Sequence, residues 1–173
     1  GIRFDNHKSG YPTGHYYSAH GGGGNTGKWI GAKGTFFEGG VRVPAIVSWP
    51  ARLPKGIVRD QAVTIMDWFP SILEWCGIEL PAVSLDGRSL QPVIDSDEAP
   101  TAHPVLYFQW KEAWAVREGD WKLIKQGRKT SLHHLADENP EVKDYFAENP
   151  GIVETLQARY HAWALDVFDG HPQ

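Results

Sequence analysis

The sequence predicts an α/β chain in which the closing part of a mixed-sheet domain is followed by a small antiparallel sheet and a C-terminal helix. Three observations predict it. Residues 41–50 read VRVPAIVSWP, a nearly continuous apolar run of strand length, which fits a strand buried on both faces. Residues 96–104 read SDEAPTAHP, a polar, proline-bearing stretch at which the pattern changes. Beyond it come short alternating runs, VLYFQW and AWAVREGDWKLIKQ, and then a helical stripe in NPGIVETLQARYHAWALDV. The expected division is residues 1–98 for the α/β part and 99–173 for the antiparallel subdomain.

Residues 1–40 are crowded with glycine, carry His7, His15 and His20, and hold few aliphatics, so they read as loop. In TIMDWFPSILEWCG, Asp67 is the expected N-cap and Pro70 falls in the first turn, where its missing N–H is not needed. Phe69, Ile72, Leu73 and Cys76 share one face, which makes Cys76 a core thiol. Gly77 is the stop. LDGRSLQPVI supplies an Asp-Gly turn and a short helical piece. In the subdomain, Trp114 and Val116 alternate on one hairpin arm and Trp121 and Leu123 on the other, with the turn near Glu118, Gly119 and Asp120. TSLHHLA adds a further strand. Asn149 caps the last helix and Pro150 opens it, with Ile152, Leu156, Tyr160, Trp163 and Val167 along one stripe.

A chain of 173 residues buries roughly 70% of its unfolded surface. Its net charge of -4 supplies no basic field for nucleic acid. No run reaches the roughly 18 apolar residues that a membrane span needs. One cysteine excludes an internal disulfide and any multi-thiolate metal site. The opening GIRFDNHKSG has neither a start methionine nor an apolar leader, and the expectation is a segment of a longer protein. Eight tryptophans fill a core or form a platform for a sugar or aromatic ligand, with the core the simpler expectation.

Two stretches imitate catalytic motifs. GGGNTGKW at 22–29 fits G-x-x-x-x-G-K, but Trp29 stands where a phosphate loop needs Ser or Thr for Mg2+. SWPAR at 48–52 is the other. A third stretch, GAKGTFFEGGVRVPAIVSWP, sets Lys33 between small residues, then an apolar pair, then Glu-Gly-Gly, then the apolar run. Small neighbours leave the lysine free to meet an anion, and Gly39 and Gly40 allow positive φ before the strand. Composition alone favours a solvated loop lysine.

The chain resembles the C-terminal part of a formylglycine-dependent sulfatase, within the alkaline phosphatase superfamily. The resemblance rests on GAKGTFFEGGVRVPAIVSWPARLPKG, DQAVTIMDWFPSILEWCGIELP, LDGRSLQPVI, WAVREGDWKLI and SLHHLADENPE, in the family's order, over about residues 21–165. It implies hydrolysis of the sulfate ester of a sulfated carbohydrate or small-molecule substrate, with Lys33 touching the sulfate oxygens. It implies one Ca2+ on oxygen ligands. Asp5 and Asn6 are the candidates for the family's late ligand pair, although His7 replaces the usual glycine and no apolar strand leads in; the alternative places that pair upstream of Gly1. Most other ligands, and the formylglycine nucleophile formed from Cys or Ser in C/S-x-P-x-R, are expected upstream of this chain, so the missing N-terminal part of the catalytic domain is a required partner. SWPAR fits that minimal pattern but follows the lysine block, at the family's strand exit. The subdomain shapes substrate entry in the family, which makes Gln109, Trp110 and Trp114 cleft candidates. Export is implied by the family. The rivals are a phosphate or phosphonate ester hydrolase of the same superfamily, and a noncatalytic carbohydrate-binding module.

Overall fold

A computed structural model describes residues 26–168. Asp5, Asn6, the three early histidines and the glycine run at 21–24 lie outside the described residues. The chain divides into two compact units: residues 26–43 with 105–168, and Pro44–Pro104.

The first unit is built on a four-stranded antiparallel meander, β1 (Val105–Trp110), β2 (Ala113–Glu118), β3 (Trp121–Gln126) and β4 (Lys129–His134), in that spatial order. Two-residue turns join β2 to β3 and β3 to β4. Gly119 and Gly127 take φ 57° and 62° there, the left-handed values that such hairpins require. Register pairs Tyr107 with Val116, Val116 with Leu123 and Leu123 with Leu132, so one apolar row crosses the whole sheet. Helix Pro150–Phe168 covers that face, burying Val153, Leu156 and Tyr160 against it. Tyr160 stacks on Trp114 at 4.1 Å and Trp163 on Tyr107 at 5.0 Å between ring centroids. The α/β class, the antiparallel sheet and the closing helix follow the sequence expectation.

The opposite face of the sheet is buried too, and by different chemistry. Its rows are Phe108, Ala115, Ile124 and Ser131, then Leu106, Arg117, Lys122 and His133. Residues 36–38 pack against it. Phe36 meets Phe108 and Phe37 meets the His133 ring edge-on. The lysine block therefore forms the second cover of the sheet.

In the second unit, helix Trp68–Cys76 ends at Gly77, whose φ of 69° lets the chain leave in the left-handed conformation. A 3-10 turn, Ile65–Asp67, precedes it, and a short helix, Gln91–Asp95, follows. Leu53, Trp75, Leu90 and Ile94 form the core, with Trp49 and Trp68 against it. Three expectations are corrected here. Residues 43–49 form no strand, and Ile46 is 91% exposed, because no neighbouring strand among the described residues pairs with that backbone. The helix turns its other side inward: Pro70, Ser71 and Trp75 are buried, while Phe69 and Ile72 face solvent. Ser71 decides this, since its hydroxyl donates to the Asp67 carbonyl and accepts from the Leu90 N–H. Cys76 consequently is exposed, not a core thiol.

Candidate functional site

Lys33 occupies the second position of a tight turn. The Thr35 N–H donates to the Ala32 carbonyl at 3.0 Å. Gly34, third in the turn, takes φ 91°, which a type II turn demands and a side chain resists. The Thr35 hydroxyl also donates to the Ala32 carbonyl, at 2.9 Å. Lys33 itself is exposed, and among the described residues its ammonium has no hydrogen-bond or ion-pair partner. The turn is thus ordered while the cation at its tip is unengaged.

Close packing holds the turn from below. The Gly39 N–H donates to the Ile30 carbonyl at 2.8 Å. A Cβ on Gly39 would lie 2.7–2.9 Å from the carbonyl oxygens of Ile30, Gly31 and Trp29, and one on Gly40 only 2.2 Å from the Thr35 oxygen. Neither glycine has positive φ, and both sit in a short helical turn, Glu38–Val41. The freedom of φ that glycine allows is not used here: these positions need glycine for lack of room.

Glu38, between the turn and those glycines, is the buried centre of an ionic cluster. It is 1% exposed, Lys122 0% and Glu141 4%. Lys122 Nζ donates to Glu38 Oε1 at 2.6 Å and to Glu141 Oε1 at 3.3 Å. Arg42 Nε donates to Glu38 Oε2 at 2.5 Å, and Arg117 Nη1 lies 3.5 Å from that same oxygen. The Glu38 N–H points at both carboxylate oxygens of Glu141, at 3.0 and 2.9 Å. Burial pushes the Glu38 carboxyl up, but the Lys122 charge and the hydrogen bonds from Lys122 and Arg42 outweigh it and hold it below the usual range. For Glu141 burial prevails over Lys122 and raises its pKa. Sequence reading missed Lys122, Glu141 and the role of Glu38. The one available signal was the acid inside Glu-Gly-Gly, and nothing in a linear pattern pairs it with a lysine 84 residues away.

The other expected residues are distributed unevenly. Gln109 accepts the Tyr160 hydroxyl proton at 2.9 Å. Trp110 is 62% exposed at the end of β1. Trp114 is 6% exposed and spends its ring on Tyr160, which is a packing role. All eight tryptophans lie among the described residues, and Trp110 alone is exposed. Lys28 lies exposed, 4.8 Å from the Trp29 ring, and the Arg42 guanidinium lies 3.8 Å from that ring. Among the described residues no three His, Cys, Asp or Glu side chains converge on a metal site. The calcium expectation falls on Asp5 and Asn6, which lie outside the described residues, and on the ligands expected upstream.

Comparison with known proteins adds the context. Residues 28–161 match the family model described as N-sulphoglucosamine sulphohydrolase, C-terminal. The chain is 41% identical to mouse (Mus musculus) steryl-sulfatase over 86 residues, covering 49% of this chain and 14% of that protein. It is 38% identical to N-acetylgalactosamine-6-sulfatase of Canis lupus familiaris over 101 residues, 58% of this chain and 19% of that protein. It is 32% identical to an uncharacterized sulfatase of Schizosaccharomyces pombe over 139 residues, 72% of this chain and 25% of that protein. The matches thus span between 14% and 25% of these curated relatives.

Proposed function

The chain belongs to the family N-sulphoglucosamine sulphohydrolase, C-terminal, and from that premise we propose that it is the C-terminal portion of a sulfatase in which Lys33 binds the sulfate group. The observation that supports this reading is the ordered turn with an unengaged ammonium at its tip. A sulfate ester presents anionic oxygens, and S–O cleavage moves further charge onto the leaving oxygen. An ammonium already in place stabilises that change without reorganising. Its three donors reach several oxygens at once. The reaction is R–O–SO3⁻ plus water to an alcohol and sulfate, with release of a proton. The attacking group belongs to the formylglycine site expected upstream, and Ca2+ when bound supplies further positive charge to the sulfate.

Gln109 and Trp110 belong to this proposal as lining of substrate entry. Phe36 packs on Phe108, and Trp110, two residues on, lies on that same face of β1, whereas Gln109 lies on the helix-covered face with its carbonyl oxygen on the Tyr160 hydroxyl. An exposed indole suits a sugar ring, because the two faces stack. The substrate class proposed is a sulfated carbohydrate, with small aryl sulfates as surrogates. Export belongs to the same reading and rests on the family resemblance. No helix among the described residues is long and apolar enough to cross a membrane.

The test is turnover of p-nitrophenyl sulfate by the whole enzyme. Lys33→Ala is expected to lower it at least about a hundredfold, the cost of one such donor. Lys28→Ala is expected to cost far less. Equal losses at both positions overturn the assignment. Assay of p-nitrophenyl phosphate alongside separates the rival ester class, since preference for it favours a phosphate hydrolase.

A further inference from the structure

We propose that Lys122 is a positioning residue for Lys33, acting from beneath the turn through Glu38 and not through contact with substrate. The inference rests on the sulfatase reading of Lys33. Three observations carry it.

First, the lysine is expensive where it stands. Lys122 lies in the middle of β3, between Arg117 and His133 on the neighbouring strands, and is fully buried. An apolar side chain would fill that space without the loss of a hydrated charge. What the ammonium supplies is a fixed direction: one 2.6 Å bond to Glu38 Oε1, with Glu141 Oε1 at 3.3 Å.

Second, Glu38 is gripped at both ends. Lys122, Arg42 and Arg117 hold its carboxylate, and Glu141 takes its backbone N–H. Glu141 does so from φ 66°, a left-handed conformation that a non-glycine residue keeps only when its surroundings insist.

Third, the link from Glu38 to Lys33 is short and stiff. Four residues separate them. The Gly39 contact with Ile30 closes the segment on one side, and the turn bond from Thr35 to Ala32 closes it on the other. Gly39 and Gly40 leave no slack against the carbonyls around them. A displacement of Glu38 therefore passes to the turn, because the packing between them has no room to absorb it. Misplacement of a catalytic group by about 1 Å costs on the order of a hundredfold in rate.

A double-mutant cycle in the whole enzyme tests this, with p-nitrophenyl sulfate turnover and urea unfolding measured for Lys33→Ala, Lys122→Met and the pair. Lys122→Met alone is expected to lower kcat about tenfold or more in folded protein. In the Lys33→Ala background it is expected to lower turnover less than about twofold, because no ammonium remains to be misplaced. The same loss in both backgrounds, or unchanged turnover in Lys122→Met, overturns the proposal. Full turnover in Lys33→Ala overturns instead the reading on which it rests. If Lys122→Met does not fold, Glu38→Gln goes through the same cycle with the same pair of outcomes, since it weakens the Lys122–Glu38 ion pair while keeping the shape of the side chain.

Discussion

A carboxylate taken out of water keeps its charge only where donors replace the lost hydration, and Asp67 does this with backbone where Glu38 uses cations. Asp67 is 1% exposed. Its oxygens accept the Thr64 N–H at 2.6 Å and the Arg88 N–H at 2.8 Å, and His103 Nε2 lies 2.6 Å from Oδ1. One side chain thus ties the start of a helix to two later segments of the second unit. Burial pushes its pKa up, but the bonds from Arg88, Thr64 and His103 together hold it below the usual aspartate value. A depressed carboxyl stabilises the fold fully above its unfolded pKa, and that contribution disappears as pH falls through the folded value. Asp67→Asn removes the charge and turns an NH2 toward groups that donate. It is expected to cost about 3 kcal/mol at pH 7. Urea unfolding at pH 7 and near pH 3 checks this: the gap between variant and parent should be large at the first and shrink at the second. An unchanging gap would mean that shape, and not charge, is what Asp67 supplies. The sequence made Asp67 visible as a helix start. It could not show the partners at Arg88 and His103, because those bonds join segments 21 and 36 residues away.

At the scale of elements, what a single strand or helix declares locally was legible, and what its neighbour decides was not. The hairpins follow from alternating runs interrupted by Gly119 and Gly127, and the last helix from Pro150 and its apolar stripe. Hydrophobic spacing points helix Trp68–Cys76 the wrong way, because it counts Phe69 and Ile72 but misses the Ser71 bond to Leu90. Likewise period-two reading sends Lys122 to the side of the sheet away from Trp121 and Leu123, where solvent is the default. The lysine block covers that side, so β2 and β3 are buried on both faces. The same cover explains the demand for glycine at position 40. A Cβ there meets backbone, 2.2 Å from the Thr35 oxygen and 2.7 Å from the Ala32 oxygen, and backbone yields less readily than a side-chain tip. Gly40→Ala is expected to displace the turn bearing Lys33 and to lower aryl sulfate turnover by about tenfold or more. Gly56→Ala bears the strain of φ 69° but meets nothing within 4 Å, so its expected cost is confined to about 1–2 kcal/mol of stability. Assaying both variants beside their unfolding curves separates displacement of the turn from general destabilisation.

For the whole molecule, the decisive quantity is how little of a sulfatase these residues represent. The chain spans 14% to 25% of the relatives compared, and its second unit leaves Ile46, Val58, Ile65 and Phe69 exposed. So many uncovered aliphatic and aromatic groups suit a surface that another part of a larger protein covers. The run at 43–49 has the composition of a buried strand and lacks a strand to pair with, which is the physical reason that the expected mixed sheet is not seen among the described residues. In the proposed reading Lys33 supplies charge stabilisation but forms no bond to sulfur, and the family resemblance assigns the attacking group to a segment upstream. The 173-residue chain alone is therefore expected to release no sulfate from p-nitrophenyl sulfate, with or without added Ca2+, and to bind an apolar dye such as anilinonaphthalene sulfonate. Supplying the upstream region on the same polypeptide should abolish the dye binding and establish turnover together. The contrary outcome has a specific suspect. SWPAR keeps the C/S-x-P-x-R spacing, and Ser48 is exposed on the way into the turn closed by Arg52 and Leu53 on the Trp49 carbonyl. Sulfate release by the isolated chain that vanishes in Ser48→Ala would place the nucleophile there and overturn the division of labour argued for Lys33.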